Sequence, residues 1–292
     1  MTSAADRLRP VPAALSTESE VIAALDAIIH GPCSDVRATT ATLITSGLLA
    51  VSIPAAFGGA DISNAVVADA VSRLSAWHEK TADLLVQHLI ALELLRTSGT
   101  TEQRKAVYSR VVLGDVFERL SQAGDHPLPR LDRSGLSFAI EPFSATDAAR
   151  AAAWQVLVAR AAGIGDVAAI VAADARHDPE RTRSNRMSVS PDNVLELGPE
   201  APRLAALMQA FLHGASCRGK CDPGHLEGMN GDAGAASAVE YELLDAIVLK
   251  TASVIDGIQV DLRPVSETHI DRLFHALTTA CARCSGEITR RQ

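Results

Sequence analysis

The chain has 292 residues, 47% hydrophobic and 21% charged, with a formal net charge of −8. Such a composition suits folded domains with a sizeable core and excludes a disordered chain; the acidic balance disfavours nucleic acid and anionic membrane surfaces as partners. Five cysteines, few and odd in number, argue against a disulfide framework, and with no signal-peptide core in residues 1–10 and no run of about 18 apolar residues, a cytoplasmic protein that spans no membrane is expected.

Residues 16–125 read as helix after helix. Thr17 with Glu20 has the spacing of a capping box, followed by Val21, Ile22, Leu25, Ile28 and Ile29 on one apolar face. A second helix starts near Asp35 and stops at Gly47. An apolar turn then leads through Pro54 and Phe57 to the pair Gly58 and Gly59. Further helices are expected through Val66, Val71, Leu74 and Trp77, and from Thr81 to Leu95. Thr100 with Gln103 caps another that ends at Gly114.

From about residue 126 the texture changes. Residues 130–135 read as a turn, and the alternation Leu136, Phe138, Ile140 predicts a half-buried strand. Residues 154–158, 167–171 and 187–191 are further strand candidates, although the alanines of 145–153 and 159–165 also suit helix. Helices return after Gly198 and Pro199, the first over 204–211. The glycine-rich stretch 214–234 reads as an irregular loop. Two amphipathic helices follow: 239–258, with Leu243, Leu244, Ile247, Val248, Val254 and Ile255 inward, and 266–284, with Ile270, Leu273, Phe274 and Leu277 inward. The organisation expected is a helical domain over 1–125, a shortened β-rich segment over 126–200 and a helical domain over 201–292. The fold class is mainly α.

The residues from Gly47 through Pro54 to Gly58 and Gly59 resemble an N-terminal segment of the acyl-CoA dehydrogenase superfamily. Weaker resemblances follow in the same order: Gly114, Asp115 and Phe117 followed by Ser121 to the end of that domain, Arg133 to Phe138 to the first middle strand, Val189 to Leu195 to the exit from the middle domain. His269 to Phe274 resembles a C-terminal helix start. The nearest branch is that of dibenzothiophene-monooxygenase-like enzymes. The resemblance implies an α–β–α fold, FAD or reduced flavin held between the middle domain and the C-terminal helices, a small organic or acyl substrate, and association into a homo-oligomer or with a heteromeric partner. It also implies site residues. His88 matches a pocket histidine, Ser144 and Thr146 fall at a flavin contact, Arg272 falls on the C-terminal helix start, and His275 lies where an arginine is more usual.

Bland readings stand beside these. His88, among Leu84, Leu85 and Leu92, also reads as a hydrogen-bonded core histidine. His275 and Asp271 have the spacing of a helical charge pair. Ser144 and Thr146 equally suit an N-cap for residues 148–153. Cys217, Cys221 and His225, with Cys281 and Cys284, have short spacings that invite zinc, but the first departs from the usual knuckle and the second pair falls on one helix; no metal is expected. The chain is shorter than full superfamily members, only 3% aromatic, and lacks the charged fork that suits a diphosphate. The alternative is therefore a degenerate relative that acts as a binding or partner subunit without FAD.

Overall fold

The computed structural model describes residues 11–31, 36–120, 128–140, 153–173, 187–221, 232–260 and 265–289. Five helices come first: α1 (Glu18–Ile29), α2 (Val36–Thr45), α3 (Asn64–Trp77), α4 (Glu79–Ser98) and α5 (Thr101–Val112). Thr17 and Thr100 each accept from the backbone three residues on, while Glu20 and Gln103 bond back to the cap, so both capping boxes form. Gly47 ends α2 with φ 83°, a left-handed conformation that a side chain would strain.

Seven strands follow: β1 (Phe117–Leu120), β2 (Arg130–Ser134), β3 (Ser137–Ile140), β4 (Trp154–Ala161), β5 (Gly165–Ala172), β6 (Met187–Val189) and β7 (Val194–Glu196). They form one sheet in the order β6-β3-β2-β4-β5-β7, with β1 lying parallel to the first half of β4. The second half of that edge takes β2, and β5 covers the other edge from Trp154 to Ala161. Alternate residues divide between two cores. Val156, Ala168, Ile170 and Leu195 face the helices, whereas Leu157, Ala159, Ala169 and Val171 join Leu131, Ile140 and Val189 in a second cluster. This two-sided burial explains why β4 and β5 read as continuous apolar runs rather than as alternations.

Three long helices complete the fold: α6 (Ala201–Cys221), α7 (Asp232–Gln259) and α8 (Glu267–Thr289). No helix among the described residues is long and apolar enough to cross a membrane. Helix α6 runs through the interior against α3, α4, α7 and α8. Its Arg218 is buried, donating to Ser72 Oγ at 3.2 Å and pairing with Asp245 at 2.6 Å.

Several expectations need correction. The loop expected from 214 is helix as far as Cys221. Its glycines are contact points rather than breakers: a Cβ on Gly219 would lie 1.9 Å from the Ser72 carbonyl oxygen of α3. Residues 159–161 are strand, not helix, and 130–134 form β2, not a turn. β1 joins the sheet ahead of residue 126, so the chain enters β structure earlier than its composition suggests. Ile22, Leu243 and Phe274, expected inward, are 40%, 42% and 40% exposed, because the apolar arc on each helix is wider than the surface its neighbours cover.

The α3–α6 contact generates a prediction. Gly219→Ala should destabilise by roughly 1–3 kcal/mol through overpacking, although alanine is intrinsically worth about 1 kcal/mol more than glycine within a helix. Urea denaturation checks the sign.

Candidate functional site

The glycine–proline segment folds as two short 3₁₀ turns, Leu48–Ala50 and Ala55–Phe57. Gly59 lies against Ile53, where a Cβ would come within 2.2 Å of the Ile53 carbonyl oxygen. Phe57 packs edge-on against Tyr108 of α5, ring centroids 5.2 Å apart. Helix α4 holds this segment through two side chains on one face. Arg96 donates to the Ser52 carbonyl, and His88 lies 3.0 Å from the Leu49 carbonyl through Nε2.

His88 is fully buried. The Phe117 N–H donates to its Nδ1 at 3.0 Å, so Nδ1 is the acceptor and Nε2 carries the hydrogen donated to Leu49. The main chain therefore occupies both ring nitrogens. Burial pulls the imidazole pKa down to about 4, against the smaller opposing effect of the bonds to Leu49 and Phe117. The ring is neutral and anchors β1 to α4 and to the 48–50 turn.

Beyond it lies a row of rings. Phe117 stacks on Trp154 with centroids 6.0 Å apart, and the Arg110 guanidinium covers the Trp154 ring at 4.3 Å from its centroid. Trp154 donates from Nε1 to Asp115 at 2.9 Å. Phe117, Trp154 and Arg110, with Gln103 and Asn193, line a cleft of about 430 Å³ between α5 and the sheet.

A second, more polar place lies where β1 meets α4 and α6. Arg119 extends on the Phe117 side of β1 and donates through Nη1 to Gln209 of α6 at 2.5 Å. Its Nε–H is buried and has no partner among the described residues. Burial pulls the guanidinium pKa down: the cation is partly desolvated and favours an anionic or carbonyl-rich ligand. The polar line continues along the two helices. His213 of α6 faces Asp83 of α4 electrostatically, and Lys220 pairs with Glu79 at 2.5 Å. Partial burial raises the Asp83 pKa, while hydrogen bonding to Cys217 raises that of His213.

Among the described residues, the expected site residues His88, Arg272 and His275 do not come together. His88 lies in the core beside β1. Arg272 and His275 sit on the exposed side of α8. Ser144 and Thr146 lie outside the described residues, as does His225. Cys217, Cys221, Cys281 and Cys284 are buried thiols, and no group of three or more His, Cys, Asp or Glu residues among the described ones has a metal-binding arrangement. Sequence reading missed Arg119: Phe117–Leu120 runs apolar, charged, charged, apolar and carries no alternation that would have marked it.

His88 gives the site a pH dependence. Its folded pKa of about 4 lies below the ordinary 6.5, so between these values the unfolded chain binds a proton that the native state refuses. Stability should fall as pH drops from about 6.5 to about 4, by up to ~3 kcal/mol, and be insensitive to this group above 6.5. His88→Leu should remove that slope and cost roughly 2–5 kcal/mol at neutral pH by leaving two buried main-chain groups unpaired. Urea titrations at a series of pH values check both.

Comparison with protein-family models and with curated proteins finds no match. Solved structures do match. The dibenzothiophene monooxygenase TdsC from Paenibacillus sp. A11-2 superposes with TM-score 0.67 at 15% identity, over 92% of this chain and 82% of that one. The methanesulfinate monooxygenase MsuC from Pseudomonas fluorescens gives 0.62 at 15%, over 98% and 84%. XiaF from Streptomyces sp., in complex with FADH2 and glycerol, gives 0.65 at 12%, over 92% and 83%. At such identities the likeness concerns the fold, and the chain has the acyl-CoA dehydrogenase-like fold of these flavin enzymes.

Proposed function

We propose that the protein is a flavin-dependent oxidoreductase, nearer the monooxygenases than the fatty-acyl dehydrogenases, acting on a small organic or acyl substrate. Support comes from the fold and from the names of its structural neighbours, among them an FMN-bound form of TdsC and the FADH2 complex of XiaF. The observation that carries the reading is Arg119, a half-buried cation whose buried Nε–H has no partner among the described residues, where the sheet meets the C-terminal helices. A flavin ring edge presents carbonyl oxygens and, when reduced, negative charge, so this donor set fits it.

A bound flavin would supply the redox chemistry. The chain's own residues would do the rest. Arg119 would hold the ring edge and favour the reduced, anionic state, with Gln209 fixing the guanidinium plane. His88 would act indirectly, by fixing the strand that carries Arg119. Asp83 and His213 stand along the same seam, where a proton can be held or passed. Arg272 and His275 lie on exposed α8 and Ser144 and Thr146 in an undescribed stretch, so diphosphate recognition rests on no assigned residue. Either FAD or a reduced flavin mononucleotide suits the ring-edge contact.

Fluorescence titration with FAD and FMN, oxidised and reduced, tests the reading. Wild-type protein should bind flavin at one site per chain, and Arg119→Met should weaken binding about tenfold, ~1.4 kcal/mol, without lowering the melting temperature. Arg119→Lys should restore part of the affinity. Failure of the wild type to bind any form would favour the alternative, a binding or partner subunit without redox chemistry.

We also propose that the protein forms a homo-oligomer through α7 and α8, where Leu243 and Phe274 are exposed. Light scattering should give a dimer or larger. The double variant Leu243→Asp with Phe274→Glu should give a monomer with an unchanged circular dichroism spectrum. A monomeric wild type contradicts the proposal.

A further inference from the structure

The C-terminal helices hold chemistry that the flavin reading does not use. Cys217 and Cys221 lie one turn apart on α6, and Cys281 and Cys284 three residues apart on α8; all four are buried thiols. The two helices approach closely here, since a Cβ on Gly214 would lie 3.1 Å from Leu277 and 3.8 Å from the Cys281 sulfur. The thiols meet in pairs across the helix interface. Gly214 lies one turn before Cys217 on the face of α6 that meets Cys281, and the two pairs, Cys217 with Cys281 and Cys221 with Cys284, influence each other's ionisation across this interface. One turn before Cys217, the exposed His213 places Nε2 3.6 Å from the Cys217 sulfur, giving that thiol a proton partner at the protein surface.

We propose that Cys217 and Cys281 are a redox-active dithiol, oxidised by a small hydroperoxide to a disulfide that ties α6 to α8. The Cys217 thiolate attacks the hydroperoxide and breaks its O–O bond, giving a sulfenic acid and, after protonation of the leaving oxygen, an alcohol or water. The Cys281 sulfur then displaces the sulfenic oxygen as water, and the S–S bond forms. In sum, two thiols lose two electrons and two protons, and one hydroperoxide is reduced to ROH and water.

The surroundings assign the two roles. Cys281, aided by His213, holds the Cys217 thiol well below the ordinary range, while Cys281 is pushed up by Cys217 and by burial. Cys217 is thus the nucleophile and Cys281 the resolving thiol. The other pair differs: burial and the neighbouring thiols push Cys221 up to about 12, so it reacts more slowly. The inference is independent of whether flavin binds.

The test uses the full-length protein, reduced, freed of reductant, and exposed to hydrogen peroxide. Alkylation in denaturant then counts thiols, and peptide mapping locates any disulfide. The chain has five cysteines. Two should disappear first, recovered as one peptide pair linking Cys217 to Cys281, and reduction should restore them. Cys281→Ser should leave a sulfenic acid on Cys217 that dimedone captures, and His213→Gln should slow oxidation on the order of tenfold by lowering the thiolate fraction. Retention of all five thiols, or a first disulfide at other cysteines, overturns the proposal. The wild-type map decides it even if a variant folds poorly.

Discussion

The structure depends on one buried imidazole. His88 takes a hydrogen from the backbone of Phe117 and gives one to the carbonyl of Leu49, so it joins β1, α4 and the 48–50 turn at one point. No aliphatic residue could do this, and a charged side chain would be costly without water. Because the ring fixes Phe117, it also fixes what Phe117 stacks on, and alternation along β1 sends Arg119 to the same side. The candidate site therefore inherits its geometry from a residue whose two ring nitrogens are both taken up by the main chain.

A second set of buried polar contacts holds the C-terminal helices to the N-terminal ones. Asn64 at the start of α3 donates to Asp256 and Gln259 at the end of α7, and Gln259 in turn donates to Glu93 of α4. Burial raises the Glu93 pKa, and the Arg96 charge opposes that shift. Arg96 also holds the Ser52 carbonyl, so this network and the His88 contacts meet on one helix. Such networks contribute little net stability but penalise any arrangement that leaves a member unpaired. With Arg218 bridging α6 to α3 and α7, they specify how α6 and α7 sit against the N-terminal helices.

How much of this was legible in the sequence depended on whether the signal was local. The capping boxes at Thr17 and Thr100 and the stop at Gly47 follow from backbone chemistry within a few residues, and they read correctly. The order of helices, sheet and helices was legible from texture and resemblance together. What failed needed partners distant in sequence. Gly214 and Gly219 looked like breakers because only the tertiary fold shows Ser72 and Leu277 against them. β1 and β2 are short strands on either side of residues 121–127, and neither has the alternation that marks a half-exposed strand. His88 stood out on its apolar face, yet its two main-chain partners, 39 and 29 residues away, could not be read from the sequence. Arg119 gave no warning, since a lone arginine in a four-residue strand resembles any surface cation.

The account stands on the protonation state of His88. A long-range ¹⁵N–¹H correlation spectrum of histidine-labelled protein at pH 5.5 reads it directly. The account predicts a neutral ring with the hydrogen on Nε2 and Nδ1 unprotonated, unchanged from neutral pH. A doubly protonated ring at that pH, or the opposite tautomer, would contradict it.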